Sequence, residues 1–404
     1  SHRLPNSSTA PRSEVREVAD FECIETSRDL EALARKLLRQ KVVAVDTEAD
    51  SLYHYYDKTC LVQIASRRGV YLVDPLAAGG LESLSALAPL FAAPQIRKIF
   101  HAADYDLFVL KRDFDFQFAN IFDTMICAQL LGYPSIGLAA LAERNLDIKL
   151  PKDEQRSDWS ARPLRKTQLC YAAADVRHLI ELSEQLEREL RRKKRLDWAR
   201  EEFESLTKRE WPARRFDRSG YLRIKGARTL DPVSLSVLRE LYLVRDRRAR
   251  ERDRPPFKVL GNQALLEIAQ RKPRREAELA GIKGVTNLVV RRLGSEVLEA
   301  VKHGREKEHG PIPKRLASNH TRRRMDKVSE RRLVALKRWR DQRASELEMD
   351  PGVLCPNATL EAIADRRRAN ADSGEVAGIA GVKGWFAREF SPEIAAVLAE
   401  AQPV

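Results

Sequence analysis

Four acidic side chains in three short segments carry the chemistry legible in this sequence. Asp46 and Glu48 lie in Val42-Val43-Ala44-Val45-Asp46-Thr47-Glu48, Asp106 in His101-Ala102-Ala103-Asp104-Tyr105-Asp106-Leu107, and Asp175 in Tyr171-Ala172-Ala173-Ala174-Asp175. Each adjoins an apolar run that belongs in a buried element, where an unpaired carboxylate is costly. Side chains two apart on a strand share a face, so Asp46 and Glu48 point the same way at the end of a core strand. Residues four apart on a helix also share a face, so Tyr171 and Asp175 point together. Converging carboxylates repel one another unless a cation sits among them, and hard divalent ions such as magnesium, with oxygen ligands, meet that need.

The elements that must position these groups follow from periodicity. Strands are expected at Phe21–Ile24, Val42–Asp46, Leu61–Ala65, Val70–Asp74 and Arg97–Phe100, with a hairpin turn at Arg67-Arg68-Gly69. Helical spacing covers Leu30–Leu38, Leu81–Phe91, Asp106–Arg112, Phe122–Leu131 and Leu138–Asn145, and a long stretch from Gln168 to about Lys208. Strands alternating with helices predict an α/β layer fold with a mixed sheet. On a helix Asp104 lies about 200° round from Asp106, so only one of them serves the site. Asp104 suits a helix N-terminus, and Asp123 suits a helix cap.

The 404 residues imply two or three domains. No apolar run of about 18 residues predicts a transmembrane helix, and the polar N-terminus lacks the apolar core of a signal peptide. Cys23, Cys60, Cys127, Cys170 and Cys355 are widely spaced without a CxxC pair, which reads as reduced thiols in a cytoplasmic protein. Charge is unevenly placed: residues 1–210 sum to −1 and residues 211–404 to +15, within a total of +14. A near-neutral front half and a basic rear half suggest a catalytic module joined to an electrostatic nucleic-acid grip.

After Trp211-Pro212 only helices are expected, and the rear half repeats itself. Arg245-Asp246-x-Arg248-Ala249 matches Arg340-Asp341-x-Arg343-Ala344, followed in the same order by Pro256 and Pro351, Asn262 and Asn357, and Leu265 and Leu360. Gly281-Ile282-Lys283-Gly284 matches Gly381-Val382-Lys383-Gly384. Each such turn could meet a phosphate, but a tight interhelical turn that needs glycine explains each better. The expected organisation is a tail over 1–17, an α/β domain over 18–210, a linker over 211–229, a helical domain over 230–304, a basic linker over 305–327 containing Arg322-Arg323-Arg324, and a second helical domain over 328–404.

Asp-x-Glu, then His-x4-Asp, then Tyr-x3-Asp resembles the tyrosine-bearing DEDD exonucleases. Phe122-Asp123-Thr124 and Ser157-Asp158-Trp159-Ser160-x-Arg162-Pro163-Leu164 narrow the resemblance to ribonuclease D, and the repeat resembles its helicase-and-RNase-D C-terminal (HRDC) domain in two copies. The resemblance implies a ribonuclease H-like α/β exonuclease domain followed by two all-α domains. It implies a 3′→5′ exoribonuclease that trims transfer RNA precursors or other structured RNA and releases nucleoside 5′-monophosphates. Two divalent ions, Mg2+ or Mn2+, would be bound by Asp46, Glu48, Asp106 and Asp175. Asp46 would bridge both, Glu48 and Asp175 would hold the water-activating ion, Asp106 would steady the other, and Tyr171 would orient the water. His101, Leu52, Tyr53, Trp159 and Arg162 are candidate substrate contacts. A DNA-directed exonuclease and a catalytically dispensable RNA-binding scaffold are the rival readings. A monomer with RNA as partner and no membrane is expected.

Overall fold

The computed structural model describes residues 21–151, 153–211, 216–306, 325–365, 376–379 and 381–401. The expected tail over 1–17 and Arg322-Arg323-Arg324 lie outside the described residues. Six strands form one mixed sheet: β1 (Glu22–Ile24), β2 (Val42–Ala49), β3 (Thr59–Ser66), β4 (Gly69–Val73), β5 (Arg97–Phe100) and β6 (Ile121–Asp123), in the spatial order β1-β4-β3-β2-β5-β6. β2–β3 and β3–β4 are antiparallel, and the other three pairs are parallel. Val43 and Val45 of β2, with Val62 and Ile64 of β3, join the core formed with α1 (Ser27–Leu37) and α3 (Asp104–Phe114). Alternation then sends Asp46 and Glu48 to the opposite face. There α6 (Lys166–Arg177) packs over β2, β3 and β4.

Three expectations are corrected. Leu81–Phe91 is a 3-10 turn, Leu81–Leu87, followed by α2 (Ala88–Ala92). Pro89 sits in the first turn of α2, where its missing N–H costs no intrahelical hydrogen bond. Phe122 belongs to β6, and Asp123 caps the helix that follows, α4 (Thr124–Leu131); α5 (Leu138–Leu146) comes next. The stretch from Gln168 to Lys208 is three helices: α6, α7 (Leu179–Arg192) and α8 (Leu196–Thr207). Lys194, at φ 58°, turns the chain between the last two.

Among its described residues, the regular secondary structure of the rear half is all helical. Its first copy comprises α9 (Pro232–Glu251), α10 (Pro256–Val259), α11 (Asn262–Arg271), α12 (Glu276–Leu279) and α13 (Asn287–Glu306). Its second comprises α14 (Lys327–Glu346), α15 (Pro351–Leu354), α16 (Asn357–Ala364) and α17 (Gly384–Glu400). The repeated arginine makes the same contacts in both. Arg245 donates to the Leu260 carbonyl (3.1 Å) and to Asn262 Oδ1 (2.7 Å), and Arg340 to the Cys355 carbonyl (3.1 Å) and Asn357 Oδ1 (2.8 Å). Arg248 pairs with Glu296 as Arg343 pairs with Glu393. Within the expected linker, Tyr221, Ile224 and Ala227 are buried in the core of the first copy, so that segment is part of the helical module.

The chain forms two compact units. One contains the described parts of Ser1–Ala49, Thr59–Trp211 and Leu333–Glu400, so the second helical copy folds together with the sheet. Trp385 of α17 stacks on Trp198 of α8, with centroids 4.5 Å apart and planes 14° from parallel. The Trp385 Nε1 donates to Glu202 (2.7 Å) and Lys383 pairs with Glu202 (2.9 Å), so the second Gly-x-Lys-Gly turn serves this docking. Arg195 donates to the carbonyls of Leu130 (2.7 Å) and Leu347 (2.5 Å). Gly132, at φ 78°, must be glycine twice over, since a Cβ there would meet the Glu348 carbonyl oxygen at 1.6 Å. The other unit contains the described parts of Asp50–Lys58, Pro212–Arg332 and Ala401–Val404. Within it the Asp253 carboxylate accepts from the backbone amides of Tyr55 (3.0 Å) and Tyr56 (3.2 Å). Among the described residues no helix is long and apolar enough to cross a membrane.

Candidate active site

Three elements bring the acids together. β2 supplies Asp46 and Glu48 at its C-terminal end, where a register shift follows Glu48. α6 supplies Tyr171 and Asp175 one turn apart, and the first turn of α3 supplies Asp106. The start of α3 is fixed by Asp123. That carboxylate accepts from the amides of Ala102 (3.3 Å) and Ala103 (2.8 Å) ahead of α3, and from those of Met125 (2.8 Å) and Ile126 (3.1 Å) in α4. The contacts hold Ala102 at φ 60°, a conformation a non-glycine residue rarely adopts without support. Asp104, on the exposed side of α3, pairs with Arg209.

Carboxylate oxygens of Asp46, Glu48 and Asp175 lie within 4.8 Å of one another. Asp106 is buried beside them and accepts from Thr47 Oγ1 at 2.5 Å. Burial pushes the pKa of Asp46 up to about 7. Burial, followed by the Asp46, Asp175 and Asp106 charges, takes Glu48 to about 10. Asp175 rises to about 8 through burial and then Asp46, and Asp106 also rises well above the ordinary range for the same two causes. The Tyr171 hydroxyl, hydrogen-bonded to Asp175, is pushed up by burial and by the surrounding carboxylates, so it keeps its proton. A divalent cation removes this mutual repulsion, and clustered oxygen donors match magnesium or manganese. The residues therefore fit the expected metal.

Asp46, Glu48 and Asp175 line a cleft of about 720 Å3, whereas Asp106 is not among its lining residues. Its lining also includes His101, the N-terminus of α5 at Gly137–Ala140, Leu150, Pro151, Gln155 and Arg156. His101 Nδ1 lies 2.9 Å from Thr124 Oγ1, and burial lowers its pKa to about 4, leaving a neutral ring at the cleft wall. The first-turn amides of α5 lack intrahelical acceptors, which makes that end attractive to a phosphate. The α5 terminus and Gln155-Arg156 were missed in the sequence. Their available signals were a glycine ahead of an apolar helix and adjacency to Ser157-Asp158-Trp159.

Two expected substrate contacts are corrected. Trp159 is 1% exposed and packs against Tyr171, with ring centroids 6.1 Å apart. Arg162 is committed to the protein: it forks onto Asp74 (2.7 and 2.8 Å) and donates to the carbonyls of Trp159 (2.7 Å), Ala161 (2.9 Å) and Cys60 (2.9 Å). Both therefore position the wall that carries Tyr171. Leu52 and Tyr53 fall in the other unit, where Leu52 is 41% exposed and the Lys258 ammonium lies 3.9 Å from the Tyr53 ring centre.

Comparison with known proteins identifies relatives of both halves of the chain. The 3′-5′ exonuclease family matches residues 21–191, and the HRDC domain family matches residues 234–301 and 329–398. The chain is similar to Ribonuclease D of Gluconacetobacter diazotrophicus, 34% identical over 297 residues, which is 72% of this chain and 74% of that one. It is similar to Ribonuclease D of Desulfotalea psychrophila, 32% identical over 344 residues, or 84% and 89% of the two chains. Among solved structures, the catalytic core of RRP6 from Trypanosoma brucei aligns with a TM-score of 0.64 at 31% identity, covering 70% of this chain and 79% of that one.

Proposed function

The chain belongs to the ribonuclease D family and is a 3′→5′ exoribonuclease, and from that premise we propose that it trims 3′ extensions from transfer RNA precursors or other structured RNA. It releases nucleoside 5′-monophosphates by two-metal hydrolysis, as a cytoplasmic monomer. The observation that carries the chemical reading is the trio Asp46, Glu48 and Asp175, with oxygens within 4.8 Å and all three pKa values raised. Two divalent ions held there, Mg2+ or Mn2+, would make a bound water acidic and neutralise charge on the leaving 3′ oxygen.

The protein's own groups have distinct parts. Asp46, Glu48 and Asp175 would hold the divalent ions, and Asp106, which accepts from Thr47 Oγ1, would support that binding from α3. Tyr171 keeps its proton and orients the attacking water as a hydrogen-bond donor, so it is not the general base. The α5 amides and Arg156 receive the phosphate of the terminal nucleotide, and neutral His101 offers a hydrogen bond without adding charge.

Substrate class is tested with a 5′-labelled transfer RNA precursor carrying a short 3′ trailer, beside mature transfer RNA and a matched DNA. The expected result is loss of the trailer one nucleotide at a time, with a pause near the mature end and mononucleotide products. Preference for an unstructured strand over the precursor would refute the structured-RNA assignment, and dinucleotide or larger products would refute the stepwise chemistry.

A further inference from the structure

β3 reads Thr59-Cys60-Leu61-Val62-Gln63-Ile64-Ala65-Ser66, and Gln63 is its single side-chain amide. The residue is 0% exposed, and neither Nε2 nor Oε1 has a hydrogen-bond partner among the described residues. An amide offers two donors and an acceptor with two lone pairs, so this position leaves an entire polar group unmet where leucine or methionine would leave none. Gln63 also stands directly opposite Asp46 in the antiparallel register. Opposed residues share a face with their Cβ atoms about 4.5–5.5 Å apart, which sets the amide beside the carboxylate on the side covered by α6. A second buried donor without a partner among the described residues, Trp159 Nε1, belongs to the ring packed on Tyr171. Two unmet donors thus flank two members of the acidic centre, and an internal water with polar neighbours is the usual way such groups are satisfied.

We propose that Gln63 is a positioning residue for Asp46, its amide donating through one buried water to the carboxylate and fixing the orientation in which that carboxylate meets the metal ions. The inference rests on the reading of Asp46 as a metal ligand. A carboxylate serving two ions has little freedom to spare, and groups that orient metal ligands typically change affinity or activity about 10- to 100-fold when removed.

Gln63→Met and Gln63→Leu test it, since both keep an apolar volume in place of the amide. Mn2+ binding is measured by calorimetry, melting is followed in EDTA, and kcat and KM are measured on single-stranded RNA. The expected result is unchanged or higher melting in EDTA, Mn2+ affinity weakened about 10-fold or more, and a fall in kcat with little change in KM. Variants that bind Mn2+ as tightly as wild type and keep its kcat would overturn the proposal. So would variants that melt lower in EDTA while Mn2+ affinity holds, because that pattern belongs to packing. Folded wild type that takes up no Mn2+ would overturn the ligand reading of Asp46 and this inference with it, an outcome visible before any variant is compared.

Discussion

At the scale of residues the site is held under electrostatic tension that a metal relieves. Carboxyls whose folded pKa lies above the ordinary value near 4 bind more protons in the native state than in the unfolded chain, so stability falls as pH rises. The favourable term is fully present below about pH 4 and is lost as pH climbs through about 7 for Asp46 and about 8 for Asp175. Protein in EDTA should therefore melt at a lower temperature at pH 8 than at pH 6, and saturating Mn2+ should remove most of that difference. A metal-free melting temperature that rose over this interval would contradict the electrostatic account. Asp46→Asn belongs to the same argument: it should raise the melting temperature in EDTA at pH 8 while lowering kcat more than about 100-fold, since it removes both the repulsion and the proposed metal ligand.

At the scale of elements, what was legible depended on how local the signal was. Asp46 and Glu48 end an apolar run, and Tyr171 and Asp175 share a helix face, so spacing alone gave their orientation. The helical repeat was legible because two copies keep the same polar residues in order, and the structure gives the reason: Arg245 and Arg340 hold the same carbonyl and asparagine partners. The breaks at His178 and Lys194 carry no proline or glycine, so no local residue signal marked them. β6 was hidden by its three-residue length. Trp159 and Arg162 sit in a motif whose residue types suit nucleotide contact equally well, and only burial and partners reveal a supporting role. Arg245→Met should lower the stability of the first helical copy by about 2–3 kcal/mol, because buried acceptors lose a charged donor, as read by urea denaturation. A loss below about 0.5 kcal/mol would assign the repeated arginine to the surface instead.

At the scale of the whole molecule, two uses of one repeat have diverged. The second copy folds with the catalytic sheet through Trp198, Trp385, Arg195 and the close approach at Gly132. Such burial was invisible in the sequence, where no spacing or motif pairs Trp385 with Trp198. Trp385→Ala should cost about 3–5 kcal/mol and make the segment beyond α14 sensitive to limited proteolysis, while wild type resists under the same conditions; equal resistance would contradict the docking. The excess of positive charge in residues 211–404 belongs to this scale too. Single-stranded RNA binding should weaken with salt at a slope of about −0.7 per phosphate contact, so four contacts cost about 50-fold in affinity between 50 and 200 mM salt. A flat salt response in fluorescence anisotropy would remove the electrostatic grip from the account.

The central claim is that the acids of β2, α3 and α6 hold the divalent ions that drive stepwise removal of 3′ nucleotides. Its most direct test is a time course on 5′-labelled single-stranded RNA with Mg2+, Mn2+ or EDTA, wild type beside Asp46→Ala. The account predicts a one-nucleotide ladder shortening from the 3′ end with either metal, abolished by EDTA and by the substitution. Shortening that continued at the wild-type rate in EDTA or in Asp46→Ala would contradict it.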